Sequence, residues 1–163
     1  GFSPAGIGVS CPNGSDIFVS RLSASGGNLL ASTFIGGTGN DGLNIAPQLK
    51  YNYADEVRGE IDIDHQNNIY IATCTKSIDF PTINSFQMAS NGEQEGCIIK
   101  MDNQLTSIVW SAYLGGANDD AIYSLALDDN GDIYVTGGTN SIDFPTTTNA
   151  YQTSYQDLSL KHN

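Results

Sequence analysis

An internal repeat constrains this chain more than any other feature. Residues 61–82, IDIDHQNNIYIATCTKSIDFPT, lie over residues 125–146, LALDDNGDIYVTGGTNSIDFPT, at a constant offset of 64, and ten of those 22 positions are identical, SIDFPT among them. A second pair, DIFVSRLSASGGNLLASTFIGGTGND at 16–41 and EGCIIKMDNQLTSIVWSAYLGGANDD at 95–120, aligns at an offset of 79. Identity there is lower, but residue character matches almost throughout. The offsets differ by 15, so the first copy carries an insertion of about that length between Asp41 and Ile61. Self-similarity at such a period marks solenoids and propellers, whose units bury their surfaces only against neighbouring units.

Each unit reads as four short strands. FVSRL and CIIKM, LLASTFIG and IVWSAYLG, GEIDID and YSLALD, and NIYIATCT and DIYVTGGT are runs rich in β-branched and aromatic residues, bounded by Gly, Asn, Asp and Ser. No window shows a sustained helical period. Asn130-Gly131 and the matching Gln66-Asn67 separate two apolar runs, where residues tolerant of positive φ make a tight antiparallel hairpin. Four antiparallel strands repeated in tandem, with corners at Gly36-Gly37 and Gly115-Gly116, predict an all-β fold of propeller blades. The expected division is an N-terminal segment or linker at 1–15, the second half of one blade at 16–43, an insertion loop at 44–57, a complete blade at 58–114, the first half of the next at 115–152, and a loop toward missing strands at 153–163. Propellers close with about four or more blades, so these two blade equivalents imply a longer polypeptide or association with other copies.

Composition removes several function classes. With 39% hydrophobic residues in 163 the chain has material for a core, and eighteen acidic residues against six basic ones give a net charge of −12, which opposes binding to nucleic acid or anionic lipid. No stretch approaches the about eighteen apolar residues of a membrane span, and GFSPAGIGVS lacks the charged start and apolar centre of a signal peptide. Cys11, Cys74 and Cys97 are too few and too far apart for a metal knuckle, and whether any two are bonded is open. His65 and His162 are the only histidines, so no His/Cys metal cluster can be assembled.

The corner, the Ile-Tyr strand and DFPT recur twice in the same order, and this pattern resembles the bacterial SBBP-type β-propeller repeat, whose units are similar to D-A-F-V-x-K-L-D, then L-x-Y-S-T-Y-L-G-G-x-x-x-D, then A-x-D-x-x-G-N-x-Y-V-T-G-x-T-x-S-x-D-F-P-T. The resemblance covers about residues 16–152. It implies a propeller within large secreted or surface-attached bacterial proteins, frequently of the Bacteroidota and similar to segments of adhesins. It brings no shared catalytic set. The chain departs from the pattern in its insertion, in Thr73-Cys74 where the other copy has Gly137-Gly138, and in Cys97 where an aromatic is usual.

Several residues are candidates for chemistry. Asp128, Asn130 and Asp132 place oxygens at alternate positions, as calcium loops do, although a plain hairpin turn explains them as well and the sibling copy has Asp64, Gln66 and Asn68. The acids of GTGND (37–41) and GANDD (116–120) suit an ion or a glycan hydroxyl, or cap their own loops. The Phe-Pro pairs at 80–81 and 144–145 anchor a loop, and Trp110 is a blade-packing residue or a sugar platform. Asn13-Gly14-Ser15 fits the glycosylation triplet but reads as chance. The insertion gathers Lys50, Tyr51, Tyr53 and Arg58, aromatic and basic in an otherwise acidic chain, which makes it either the recognition loop or a lid over a blade edge.

No nucleophile–base pair, P-loop or dinucleotide glycine pattern is present. The expectation is therefore a noncatalytic propeller segment, extracellular or at the cell surface, that binds protein or glycan or acts as a rigid scaffold. Its partners are other blades of the same polypeptide or other copies, with no nucleic acid and no membrane insertion, and no cofactor beyond calcium as a candidate. The alternatives are a filament subunit, a calcium- or carbohydrate-dependent binding module, and a propeller enzyme.

Overall fold

The computed structural model describes residues 14–51 and 53–156. Eight strands follow in chain order: β1 (Ile17–Leu22), β2 (Leu29–Ile35), β3 (Glu60–Ile63), β4 (Ile69–Thr75), β5 (Glu95–Met101), β6 (Ile108–Leu114), β7 (Asp120–Leu127) and β8 (Ile133–Thr139). They coincide with the β-branched and aromatic runs. Among the described residues only two short 3-10 turns, Pro47–Leu49 and Tyr53–Val57, depart from strand and loop, and both lie in the insertion. The expected all-β class is the observed one: an antiparallel pair β1–β2, a four-stranded meander β3-β4-β5-β6, and an antiparallel pair β7–β8. Asn67 and Gly131 take positive φ at the β3–β4 and β7–β8 turns, the conformation that Asn and Gly adopt at least cost.

The core lies on both sides of the central sheet. Successive side chains of a strand point to opposite faces, so Ile69, Ile71, Cys97, Ile99 and Tyr113 face Val19 and Ile35 of the first pair. Tyr70, Ala72 and Ile98 face Ile122 and Leu125 of the last pair. With both faces covered, every residue of β4 is buried. Trp110 stands edge-on to Tyr70, with ring centroids 6.4 Å apart, and packs against the second of these clusters. It is thus a blade-packing residue.

Cys74 and Cys97 are both free and lie on opposite faces of the central sheet, Cys97 toward the first pair and Cys74 toward Ala46, Leu49 and Ala121. No bond joins them. Burial pushes the Cys74 thiol up to about 12 and raises that of Cys97 well above its ordinary value, so both are inert core residues. Cys11, with Asn13 and His162, lies outside the described residues.

The insertion enters at a defined point. Asp41 bridges Thr75 and Glu60 pairs with Ala72. In the other copy Asp120 pairs with Thr139 and Ser124 with Thr136, and the register shifts between Ile122 and Ser124, so that Tyr123 is a one-residue bulge. The extra residues of the first copy occupy the position of that bulge.

Candidate functional site

Three surfaces hold the residues singled out in the sequence: the Gly-Gly corners, the insertion, and the hairpin tips. At the corners the acids cap their own loops, with Gly37 N–H donating to Asp41 Oδ2 at 2.9 Å and Gly116 N–H to Asp120 Oδ2 at 2.7 Å. The SIDFPT loops then clasp those corners. Ser77 O–H donates to Asp41 Oδ2 at 2.8 Å and Ser77 Oγ accepts from Gly39 N–H, while Asp79 Oδ1 accepts the N–H and O–H of Thr38. In the second copy Ser141 donates to Asp120 at 2.8 Å and accepts from Asn118 N–H, and Asp143 Oδ1 accepts from Ala117 N–H at 2.9 Å. A Cβ on Gly37 would fall 2.3 Å from Asp79 Oδ1, and one on Gly116 2.5 Å from Asp143 Oδ1, so the second glycine of each corner is needed for close approach. Phe80 is buried against Tyr113, whose hydroxyl accepts from Phe80 N–H and donates to Ser77 C=O. Hydrogen bonding from Thr38 N–H is the main cause that holds the Asp79 carboxyl below its ordinary range.

The insertion is strapped down. Ile45 and Ala46 N–H both donate to Gln94 Oε1, at 2.7 and 3.2 Å, while Gln94 Nε2 donates to Asn44 Oδ1 and to Asp120 C=O. Asn44 Nδ2 and Tyr123 O–H both donate to Leu49 C=O at 3.0 Å, and Ala46 and Leu49 pack on Cys74 and Ala121. The expected basic residues are matched by acids of the same segment. Lys50 Nζ lies 2.9 Å from Glu56 Oε1, and Arg58 Nε lies 2.9 Å from Asp55 Oδ1 with its guanidinium 5.4 Å from the centre of the Tyr123 ring. The Tyr51 side chain is exposed, and its N–H donates to Asp55 Oδ2. Tyr53 opens the second 3-10 turn, and its side chain lies outside the described residues. Nothing in the sequence pattern singles out the anchors Asn44, Gln94 and Tyr123. Tyr123 sits in β7 where the two repeat offsets meet, so only the spare residue relative to pairing could have shown it.

At the hairpin tips Asp128 Oδ1 accepts from Asn130 N–H at 2.9 Å and Asp132 N–H at 2.8 Å. The carboxylate keys its own turn, and hydrogen bonding from Asp132 N–H is the main cause that lowers its pKa. Among the described residues no three His, Cys, Asp or Glu side chains are arranged to hold a metal ion. Asp64 does the same work in the sibling turn through Gln66 and Asn68 N–H, and adds Lys100 Nζ at 3.2 Å. Desolvation raises its pKa, but hydrogen bonds from Asn68, Lys100 and Gln66 outweigh that and bring it to about 2. Between the two tips runs a cleft of about 420 Å³, lined by Asp62, Asp64, His65, Tyr70, Lys100 and Asp129 among others.

Residues 109–145 match the family model described as SBBP, a beta-propeller repeat. No curated protein and no solved structure matches the chain. The matched stretch runs from β6 through the Gly115-Gly116 corner and both strands of the last pair to the SIDFP loop, the set of parts that recurs around the central sheet. The chain thus carries an SBBP beta-propeller repeat at residues 109–145, set among antiparallel sheets of two to four strands that fit propeller blades.

Proposed function

We propose that this segment is a noncatalytic scaffold within a secreted or cell-surface protein, stacking against further blades and presenting its loops for adhesion to a protein or glycan. The observation that carries the stacking role is a contrast between equivalent positions. Phe18 and Phe34, cross-strand partners on β1 and β2, are 69% and 76% exposed, whereas Cys97 and Tyr113 at the same positions of the next copy are 0% and 1% exposed. At the other end Tyr134 is 60% exposed against 3% for Tyr70. An apolar face of this kind is the side of a blade awaiting its neighbour. β7–β8 supplies the first two strands of a blade and β1–β2 the last two, so β8 beside the β1 of another copy reproduces the β4–β5 pairing. A further repeat of the same polypeptide does likewise.

The noncatalytic reading rests on how the recurring polar residues are used. The buried Ser77–Asp41 and Ser141–Asp120 pairs close corners and are joined by no histidine in the bonds described. The net charge of −12 argues against nucleic acid as a partner. No helix among the described residues is long and apolar enough to cross a membrane. A second reading, a carbohydrate-binding module, is supported by the cleft at the hairpin tips, whose carboxylates and Lys100 offer partners for hydroxyl groups.

Light scattering across a concentration series tests the scaffold reading. The chain is expected to associate as concentration rises, and the exposed-face double variant Phe18→Ser/Phe34→Ser to stay monomeric. A chain that is monomeric throughout, and in which the double variant changes nothing, overturns the reading. Glycan-panel binding that Asp62→Ala or Asp129→Ala abolishes would favour the second.

A further inference from the structure

Glu95 and Asp120 form the one corner at which two buried carboxylates meet with oxygens left over among the described residues. Glu95 opens β5, and its Oε1 accepts from Asn91 N–H at 2.6 Å, Gly92 N–H at 2.8 Å and Ser90 O–H at 3.4 Å. Its Oε2 is buried with no partner, and so is Asp120 Oδ1. Asp120 Oδ2 takes the Gly116 N–H and the Ser141 O–H. Glu95 Oε2 and Asp120 Oδ2 converge on Gly115, where a Cβ would sit 1.9 Å from the first and 2.6 Å from the second. The burial of Glu95 disfavours its ionised form, and the Asp120 carboxylate so placed beside it adds to that.

The equivalent corner of the first copy shows what relieves that demand. Asp16 stands where Glu95 does, and it is exposed, so water solvates it. Asp41, the counterpart of Asp120, has both oxygens taken, Oδ1 by the Thr75 hydroxyl and Oδ2 by Gly37 and Ser77. At the Glu95–Asp120 corner Glu95 is buried, and Thr139, the counterpart of Thr75, makes no bond to Asp120 Oδ1.

We propose that Glu95 and Asp120 share one proton in the folded state, carried on Glu95 Oε2 and donated to the Asp120 carboxylate, which latches the central sheet to the pair that follows it. Glu95 Oε1 then acts as the carbonyl oxygen of a carboxylic acid and accepts its donors, while Oε2–H gives the otherwise unpartnered Oε2 a bond to Asp120 Oδ2, the oxygen it meets at Gly115. The other charged groups around the corner offer no replacement. Asp119 precedes Asp120 and has Glu93 and Lys76 in its field, Lys76 lies 3.7 Å from Glu93, and Asp143 is bound by Ala117 N–H. Burial is the main cause that raises the Glu95 carboxyl, with the Asp120 charge adding to it. A carboxyl raised in the folded state stabilises while protonated, and that contribution is lost as pH rises past the ordinary glutamate range through the raised midpoint.

Carboxyl carbon NMR on the glutamate-labelled 163-residue chain, which has four glutamates at 56, 60, 93 and 95, tests this directly. One signal is expected to titrate above the other three and to vanish in Glu95→Gln. In denaturant unfolding, wild type is expected to lose stability as pH rises through that midpoint. Glu95→Gln, whose amide N–H takes the place of the acid proton, should lose none over the same range. If Glu95→Gln fails to fold, the wild-type titration decides alone. A Glu95 signal that titrates with the other three overturns the proposal. So does thermal stabilisation by calcium or magnesium chloride in wild type but not in Glu95→Gln, which would put a cation where we place the proton.

Discussion

Asp64, Asp102 and Asp128 do one job at three hairpin turns, each accepting two backbone N–H groups from residues two and four ahead. They differ in what else they hold. Asp64 also binds the Asn68 side chain, the Tyr70 hydroxyl and Lys100, all partly buried, so Asp64→Ala strands several polar groups and is expected to cost about 1–3 kcal/mol in urea unfolding. Asp128→Ala acts at an exposed turn and should cost less. The sign with pH follows from the shift: the folded-state Asp64 lies at about 2 against an ordinary 3.8, so its contribution is full above the ordinary value and vanishes as pH falls through about 2. Asp64→Asn should therefore flatten that part of an acid titration followed by circular dichroism. The turn role of Asp128 was legible from DDNGD. That of Lys100 was not, because it arrives from β5 and meets Asp64 only once the sheet has formed.

At the scale of elements, the alternation of β-branched and polar residues was enough to place all eight strands, since period-two patterning and turn residues are local signals. The strap made by the insertion was hidden because its anchors belong to other strands. Its basic residues read as part of a recognition loop or of a lid over a blade edge; each has an acid within the segment, and Arg58→Ala is expected to change stability by under about 1 kcal/mol because the pair is partly exposed. Gln94 is the stronger test. Gln94→Ala removes the acceptor of Ile45 and Ala46 N–H, so it should cost about 1–3 kcal/mol and speed hydrogen exchange at those two amides. Unchanged exchange there would mean that the strap is held by its apolar contacts alone.

For the whole molecule, burial is graded from the centre outward. Ile99 is fully buried in the central sheet, and Ile99→Ala is expected to cost about 2–5 kcal/mol, whereas the outer pairs each cover one face only. Amide exchange should be slowest in β4 and β5 and faster in β1 and β8, each of which is paired on one edge. Equal protection in all four would show that the outer faces are already covered in solution. The repeat made this gradient readable in outline, since two copies of one pattern must alternate buried and open surfaces. The Glu95 corner was not readable, because it depends on one added methylene relative to Asp16 and on the loop before β5, whose Asn91 and Gly92 N–H groups reach Glu95.

The bulge at Tyr123 has a further consequence. One copy places three residues between two shared pairs, one of them unpaired, and the other places eighteen there, yet pairing resumes on the same partners on either side, at Thr75 and Ala72 in one and Thr139 and Thr136 in the other. A gene that lengthens at this codon leaves the ladder in register, so the site is a natural port for new peptide. A graft of foreign sequence at Tyr123 should leave the rest of the hairpin intact.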